Sequence, residues 1–511
     1  MKPSLLPALL SCLFAPSLAA ATLPDDIGID DLAWAAIERQ IAAEVDRERA
    51  AGPSGFGRGT FGSEHGLVRT AVLDYPSDGH GQTSEGARFG HSVAIDGDWL
   101  AVGAPGALWN DFNHGVAAHG AVFMFRRGAG GWTLHQLLET AFSPNGARCG
   151  HAVALRMPQL VIGCPEAENA DGSQVTGRVR MARYIPANDW FSVNITINGT
   201  SNGRCGSALA LSEDYLAVGC PTVATSNQGG RVRVYRVNPS TGSPSLEVTL
   251  SPPNAMANAR FGDSVALNQS LGMPPLLAAG APLRSPTPFI SAGGVHVFER
   301  STSGDTPVWT QSAFLTAPAQ ASFALFGLSV DLVRSSLLVG APNDFCPSGS
   351  QRCGRVYRYA RSGSNWNFAE TGFPTNVPGG VVAGPEADMQ FGAAVAFGFD
   401  FHIAVAAPNT NGPRAQSSST ATNVGLVELR RPTGNNYNAN SYRGVVRPAP
   451  LAVTTLAEGR FGTGIDFSVG ARRLAVGYPG VGSSLPAPGA RRGQVWVYEI
   501  DQLFADGFQN P

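Results

Sequence analysis

Lysine is all but missing from this chain. Lys2 is the only one in 511 residues, and every other basic residue is arginine. Charge of either sign is scarce, at 14% of residues with a formal net of −2, so no overall basic field is expected to attract nucleic acid or an anionic membrane. Beyond the first twenty residues no apolar run is long enough to span a bilayer. Cysteine is sparse and never spaced Cys-x-x-Cys, which argues against a redox pair or a zinc knuckle. There is no His-Glu-x-x-His and no phosphate-binding loop. What is abundant is punctuation: 62 glycines and 37 prolines predict many short strands joined by turns.

The N-terminus reads as an export signal. Lys2 supplies the positive start, Leu5 to Leu18 the short apolar core, and Ala19-Ala20-Ala21 the small-residue cleavage site. Leu9-Leu10-Ser11-Cys12 offers a lipobox as the weaker alternative. Residues 1–21 are therefore expected to be a signal peptide, and the mature protein to be secreted, periplasmic or at the cell surface. Within 22–62, a helical segment and linker, Leu32, Trp34, Ile37, Ile41 and Val45 recur at helical spacing before Gly52-Pro53.

From there the chain repeats itself. Arg88-Phe89-Gly90-His91-Ser92-Val93-Ala94 leads through a turn to Leu100-Ala101-Val102-Gly103-Ala104-Pro105. Six further heads follow at Cys149-Gly150, Cys205-Gly206, Phe261-Gly262, Phe326-Gly327, Phe391-Gly392 and Phe461-Gly462, spaced 56 to 70 residues apart. Each leads to a tail of the Gly-Ala-Pro kind, a variable loop, and an alternating strand such as Gly230-Arg231-Val232-Arg233-Val234-Tyr235. A fourth strand often opens on tryptophan, as at Trp132, Trp190, Trp309 and Trp366. Each unit is thus four short strands, A to D, and seven units predict an all-β, seven-bladed β-propeller of antiparallel blades over residues 63–500, with a short N-terminal helix before it and a tail at 501–511. The last repeat ends without a strand D. Leu67 to Leu73 supplies one and is expected to pair with Gln494 to Glu499, joining the two ends and covering the open sheet edges.

These heads and tails resemble the FG-GAP repeat family, the propeller of integrin α subunits and of many secreted bacterial proteins. The resemblance implies calcium in Asp-rich A–B hairpins. Here the equivalents are Asp96-Gly97-Asp98, Ser212-Glu213-Asp214 and Val333-Arg334-Ser335-Ser336. None offers the six to eight oxygens that calcium takes, so no cofactor is expected. The closing Leu503-Phe504-Ala505-Asp506-Gly507-Phe508 is similar to a short tail on exported proteins of some gammaproteobacteria.

Cys149 and Cys164 occupy the head and tail of the second repeat, and Cys205 and Cys220 those of the third. Antiparallel A and B strands set these positions side by side, so pairs 149–164 and 205–220 are expected, with 346–353 across one B–C loop. A compartment outside the cytoplasm favours structural bridges.

Two regions carry functional expectations. Two residues into the head, His91, His151 and Asp263 alternate with Ser207, Leu328, Ala393 and Thr463 around the expected channel mouth. They read either as acid–base or metal-binding groups or as polar residues facing a wet channel. Second, B–C and D–A connections share one face, and the B–C loop at Trp109, Asp111, Phe112 and His114 mixes aromatic and polar groups suited to recognition. The expectation is a monomeric, non-catalytic recognition or adhesion propeller that binds a protein or glycan at the cell surface, without nucleic acid or a transmembrane segment. A lectin-like glycan module and a hydrolase at the channel mouth are the alternatives.

Overall fold

Strand B is the most uniformly apolar element of every repeat, and in all seven it is buried end to end. Strands that apolar must have sheet on both faces. Strands C and D alternate, and they lie outward, where the wedge between blades widens. The structure is a computed structural model. It describes residues 67–76, 86–111, 115–117, 119–139, 146–169, 171–222, 229–268, 274–303, 306–347, 349, 351–372, 387–398, 402–410, 412–413, 420–421, 424–430, 442–448, 459–468, 470–480 and 492–500. The expected signal peptide, the N-terminal helix and the tail lie outside them.

Seven four-stranded antiparallel sheets form the blades. Blade 1 comprises Ser92–Asp96, Trp99–Ala104, Ala121–Gly128 and Gly131–Glu139. Blades 2 to 6 follow the same A-B-C-D order, starting at Ala152, Ala208, Ser264, Ser329 and Val395. Blade 7 takes Ile465–Ser468, Arg473–Tyr478 and Gln494–Ile500, and its outer strand is Leu67–Asp74 from the beginning of the propeller. That strand runs antiparallel to the last one, with Val68 opposite Glu499 and Leu73 opposite Val495. Every C–D pair carries one irregularity in register, consistent with a bulge that tightens the twist of the outer blade.

The apolar core lies between blades rather than within them. Seven buried clusters fill the seven interfaces, and the one joining blades 7 and 1 packs Leu73, Val495 and Val497 against Phe89 and Val102. The head aromatics anchor these clusters: Phe89, Phe261, Phe326, Phe391 and Phe461 are fully buried. Where cysteine replaces them, Cys149 bonds to Cys164 and Cys205 to Cys220, with Cα atoms 4.0 Å apart in each pair. Cys346 and Cys353 pair across the B–C loop of blade 5.

Backbone contacts between blades are close. Ser92, Ser264 and Ser329 in strand A donate their hydroxyls, each at 2.8 Å, to the head-glycine carbonyl of the next blade. The glycine before each strand C has a positive φ, and it bridges in parallel to the next head, ending with Gly493 on Phe89.

Deleting residues 67–74 would reopen two sheet edges and strip one side of the 7–1 cluster. The melting temperature should fall by ~5–10 °C while unfolding stays cooperative, as checked by calorimetry. An unchanged melting temperature would show that the ring closes without this strand.

Candidate functional site

Each head forms the same turn. The residue before the Phe or Cys takes a left-handed conformation, at φ 57° for Arg88, 52° for Arg148, 47° for Arg204, 58° for Arg260 and Leu325, 59° for Gln390 and 55° for Arg460. Its carbonyl accepts from the amide three residues on, as from His91 to Arg88 at 2.9 Å and from Asp263 to Arg260 at 3.0 Å. The head aromatic or cysteine is pinned in the inter-blade core, so the turn is held fixed. Seven copies around the axis therefore set the residues at His91, His151, Ser207, Asp263, Leu328, Ala393 and Thr463 in equivalent places at the start of strand A.

The structure brings two of the expected mouth residues together. The rings of His91 and His151 lie 4.9 Å apart, centre to centre, tilted by 41°. Burial, the neighbouring imidazole, and Arg88 and Arg148 push His91 down to about 3. Burial and then Arg148, Arg88, Arg260 and Arg204 push His151 down to about 4. Both rings are uncharged at neutral pH. Asp263 pairs instead with its own turn, at 2.6 Å from Arg260 Nη2, while burial raises its carboxyl. Among the described residues, neither histidine hydrogen-bonds to a carboxylate or a nucleophilic hydroxyl, so no base–nucleophile pair is assembled here.

Elsewhere, Gly199-Thr200-Ser201-Asn202-Gly203 has nucleophile-elbow spacing but sits in the D–A connection before blade 3. Ser201 is exposed there, with no strand-to-helix turn to present it.

The loop candidates lie on the same face as the mouth. The B–C loop of blade 1 folds into a small hairpin, Trp109–Asp111 against Gly115–Ala117, which places the backbones of Trp109 and Asp111. Phe112 and His114 lie outside the described residues. The B–C loops of blades 2, 5 and 6 also fold back on themselves, through Glu168 with Val175, Phe345 with Arg352, and Gly412–Pro413 with Thr420–Ala421.

The A–B turns do not fit calcium. Asp96 Oδ2 accepts from the amide of Met157 in blade 2 at 2.8 Å, and Asp98 holds Arg473 of blade 7 at 3.0 Å. Both carboxylates are thus tied to neighbouring blades, a role that their turn position alone does not reveal. Among the described residues no group of three or more His, Cys, Asp or Glu is placed to hold a metal ion.

Two partly buried acids carry no motif in the sequence. Asp331 and Asp466 occupy a strand-A register where the other blades carry Ala94, Ala154, Ala210, Ala266 and Ala396. Asp466 accepts from the amide of Ile95 at 2.8 Å, and Asp331 from that of Phe397 at 2.6 Å, each in the next blade. An acid in an alanine column is the signal that would have found them. Burial is the main cause that raises Asp331 to about 6 and Asp466 to about 7, with the charges of Asp331 and Asp96 adding to the shift at Asp466.

These shifts have opposite signs of linkage. An acid raised from 3.8 to about 7 costs stability as pH rises through that interval, because the native state alone keeps the proton. The histidines, lowered from 6.5, cost stability as pH falls from 6.5 toward 3. Asp466→Asn keeps an acceptor for Ile95 and removes only the acid term. Its stability relative to wild type should climb between pH 4 and 8 by about 2–4 kcal/mol, read from urea unfolding at several pH values. A difference that does not vary with pH would contradict this assignment.

Comparison with known proteins finds one repeat match. Residues 76–125, spanning the first head, its tail and strand C, match the FG-GAP repeat. No curated protein sequence matches the chain. Among solved structures, the Saccharomyces cerevisiae protein Sqt1 is similar over 81% of this chain and 83% of its own, at 9% identity and a TM-score of 0.42. The chain is a seven-bladed β-propeller whose first repeat matches the FG-GAP repeat, and six further copies of the same head and blade follow it.

Proposed function

We propose that the chain is an exported, non-catalytic recognition propeller that binds a macromolecular partner through the face carrying its B–C and D–A loops. The observation that supports this most is the set of folded-back B–C loops raised on one face of a rigid ring. Variable loops on a fixed scaffold suit recognition, because the ring holds the ends of each loop in place before binding. The signal-like residues 1–21 and the three cystine pairs favour a location outside the cytoplasm. The uncharged histidine pair, with no nucleophile hydrogen-bonded to it among the described residues, favours binding over hydrolysis.

The test compares the mature wild-type chain with a variant whose 106–119 and 409–424 loops are replaced by short Gly-Ser turns, both used to capture partners from envelope extract. A partner held by wild type should be lost at least tenfold from the loop variant and retained by a His91→Ala, His151→Ala variant. Capture indifferent to the loops, or a hydrolytic activity abolished by the histidine variant, would overturn the proposal.

A further inference from the structure

Five of the seven left-handed head positions are arginine: Arg88, Arg148, Arg204, Arg260 and Arg460. A left-handed backbone is awkward for any residue with a β-carbon, and glycine or asparagine would suit it better. The fold needs the conformation but not the guanidinium. The five side chains remain accessible, four of them exposed and Arg260 half-buried. Because all seven turns stand at the starts of the inner strands, their arginines crowd around the same mouth that holds the His91–His151 pair.

Their proximity has electrostatic and geometric marks. Four of the five act on the single ring of His151. Arg260 folds onto its own head residue, Asp263, at 2.6 Å. Arg204 leans back over blade 2 to Glu166 at 3.3 Å. Among the described residues, Arg88, Arg148 and Arg460 have no acidic partner. The mouth thus carries an excess of fixed positive charge on a protein whose formal net charge is −2. Guanidinium forks grip carboxylates in pairs of parallel hydrogen bonds, and several forks around one mouth favour clustered oxyanions over a lone one.

We infer that the arginine crown at the channel mouth is a binding site for clustered carboxylates, presented by a protruding acidic segment of a partner protein. The five arginines stand at the starts of the inner strands, on the face that carries the B–C loops. A short acidic loop can set several carboxylates against these forks at once. This inference rests on the proposed role of the same face and names the chemistry that the face selects.

The test titrates the full mature chain with hexaglutamate peptide, with hexaglutamine and inorganic pyrophosphate as comparison probes. Hexaglutamate should bind, weaken as salt rises, and lose at least tenfold in affinity in an Arg88→Gln, Arg148→Gln variant. An Arg126→Gln, Arg236→Gln variant, which removes the same charge from outer strands, should change affinity less than twofold. Matching melting curves establish that both variants are folded. Equal loss in the two variants, or no hexaglutamate binding, would overturn the inference. Pyrophosphate binding more tightly than the peptide would overturn it in favour of a small free anion. Loss of the peptide site with partner capture intact would defeat this inference alone, and the converse would defeat only the functional reading.

Discussion

The ring depends on one contact repeated at nearly every blade interface: two glycines pressed backbone to backbone. The strand-B glycine of one blade lies against the head glycine of the next. A β-carbon built on Gly103 would overlap the carbonyl oxygen of Gly150, and the same holds for Gly163 with Gly206, Gly219 with Gly262, Gly280 with Gly327 and Gly340 with Gly392. Gly477 against Gly90 closes the circle. Blade 6 is the exception. It carries Ala406, whose methyl faces Gly462, so the 6–7 interface is the one that admits a side chain there. With glycine at these points the inner strands approach until backbones meet and strand-A serines reach across to carbonyls. Larger residues there would hold the sheets apart and weaken the apolar clusters that fill the interfaces.

The character of the mouth follows from that contact. Once the head glycine is fixed against its neighbour and the head aromatic is buried, the intervening turn has one conformation in all seven blades. Only two positions per turn are free to vary without disturbing the ring: the left-handed residue and the one at the strand-A entrance. Chemistry accumulates at those two positions, as five arginines in the first, and two histidines and an aspartate in the second. The carboxylates inside the ring serve a different purpose. Asp331 and Asp466 each accept from the amide of a neighbouring blade's inner strand, and Asp96 from the amide of Met157 in the A–B turn of blade 2, stitching the wall where an edge strand would otherwise present unpaired donors.

Most of the fold was legible because its signal is written seven times. A lone Phe-Gly says little, but seven in step reveal the blade, and counting strands reveals the shared outer strand of blade 7. The head-to-tail cysteine pairs followed from the same registry. The site was less legible for a physical reason. Repeat columns set equivalent residues around a mouth, but they do not show which side chains there approach one another. Arg88, Arg148 and Arg204 each directly precede a head in the sequence, yet their proximity arises only when the ring closes. Asp96 and Asp98 read as turn residues because their partners, Met157 and Arg473, lie in other blades. Asp331 and Asp466 hid among apolar neighbours whose pattern they break.

The most direct measurement is the stability of Gly219→Ala beside that of Ala406→Gly. Gly219 has an ordinary φ, so alanine there suffers no conformational penalty, and in open space it would slightly favour a strand. If the backbone contact with Gly262 holds the ring together, Gly219→Ala should lose about 3 kcal/mol in urea unfolding, well beyond the ~1 kcal/mol expected of Ala406→Gly. Gly219→Ala proving as stable as wild type, or costing no more than Ala406→Gly, would contradict the account.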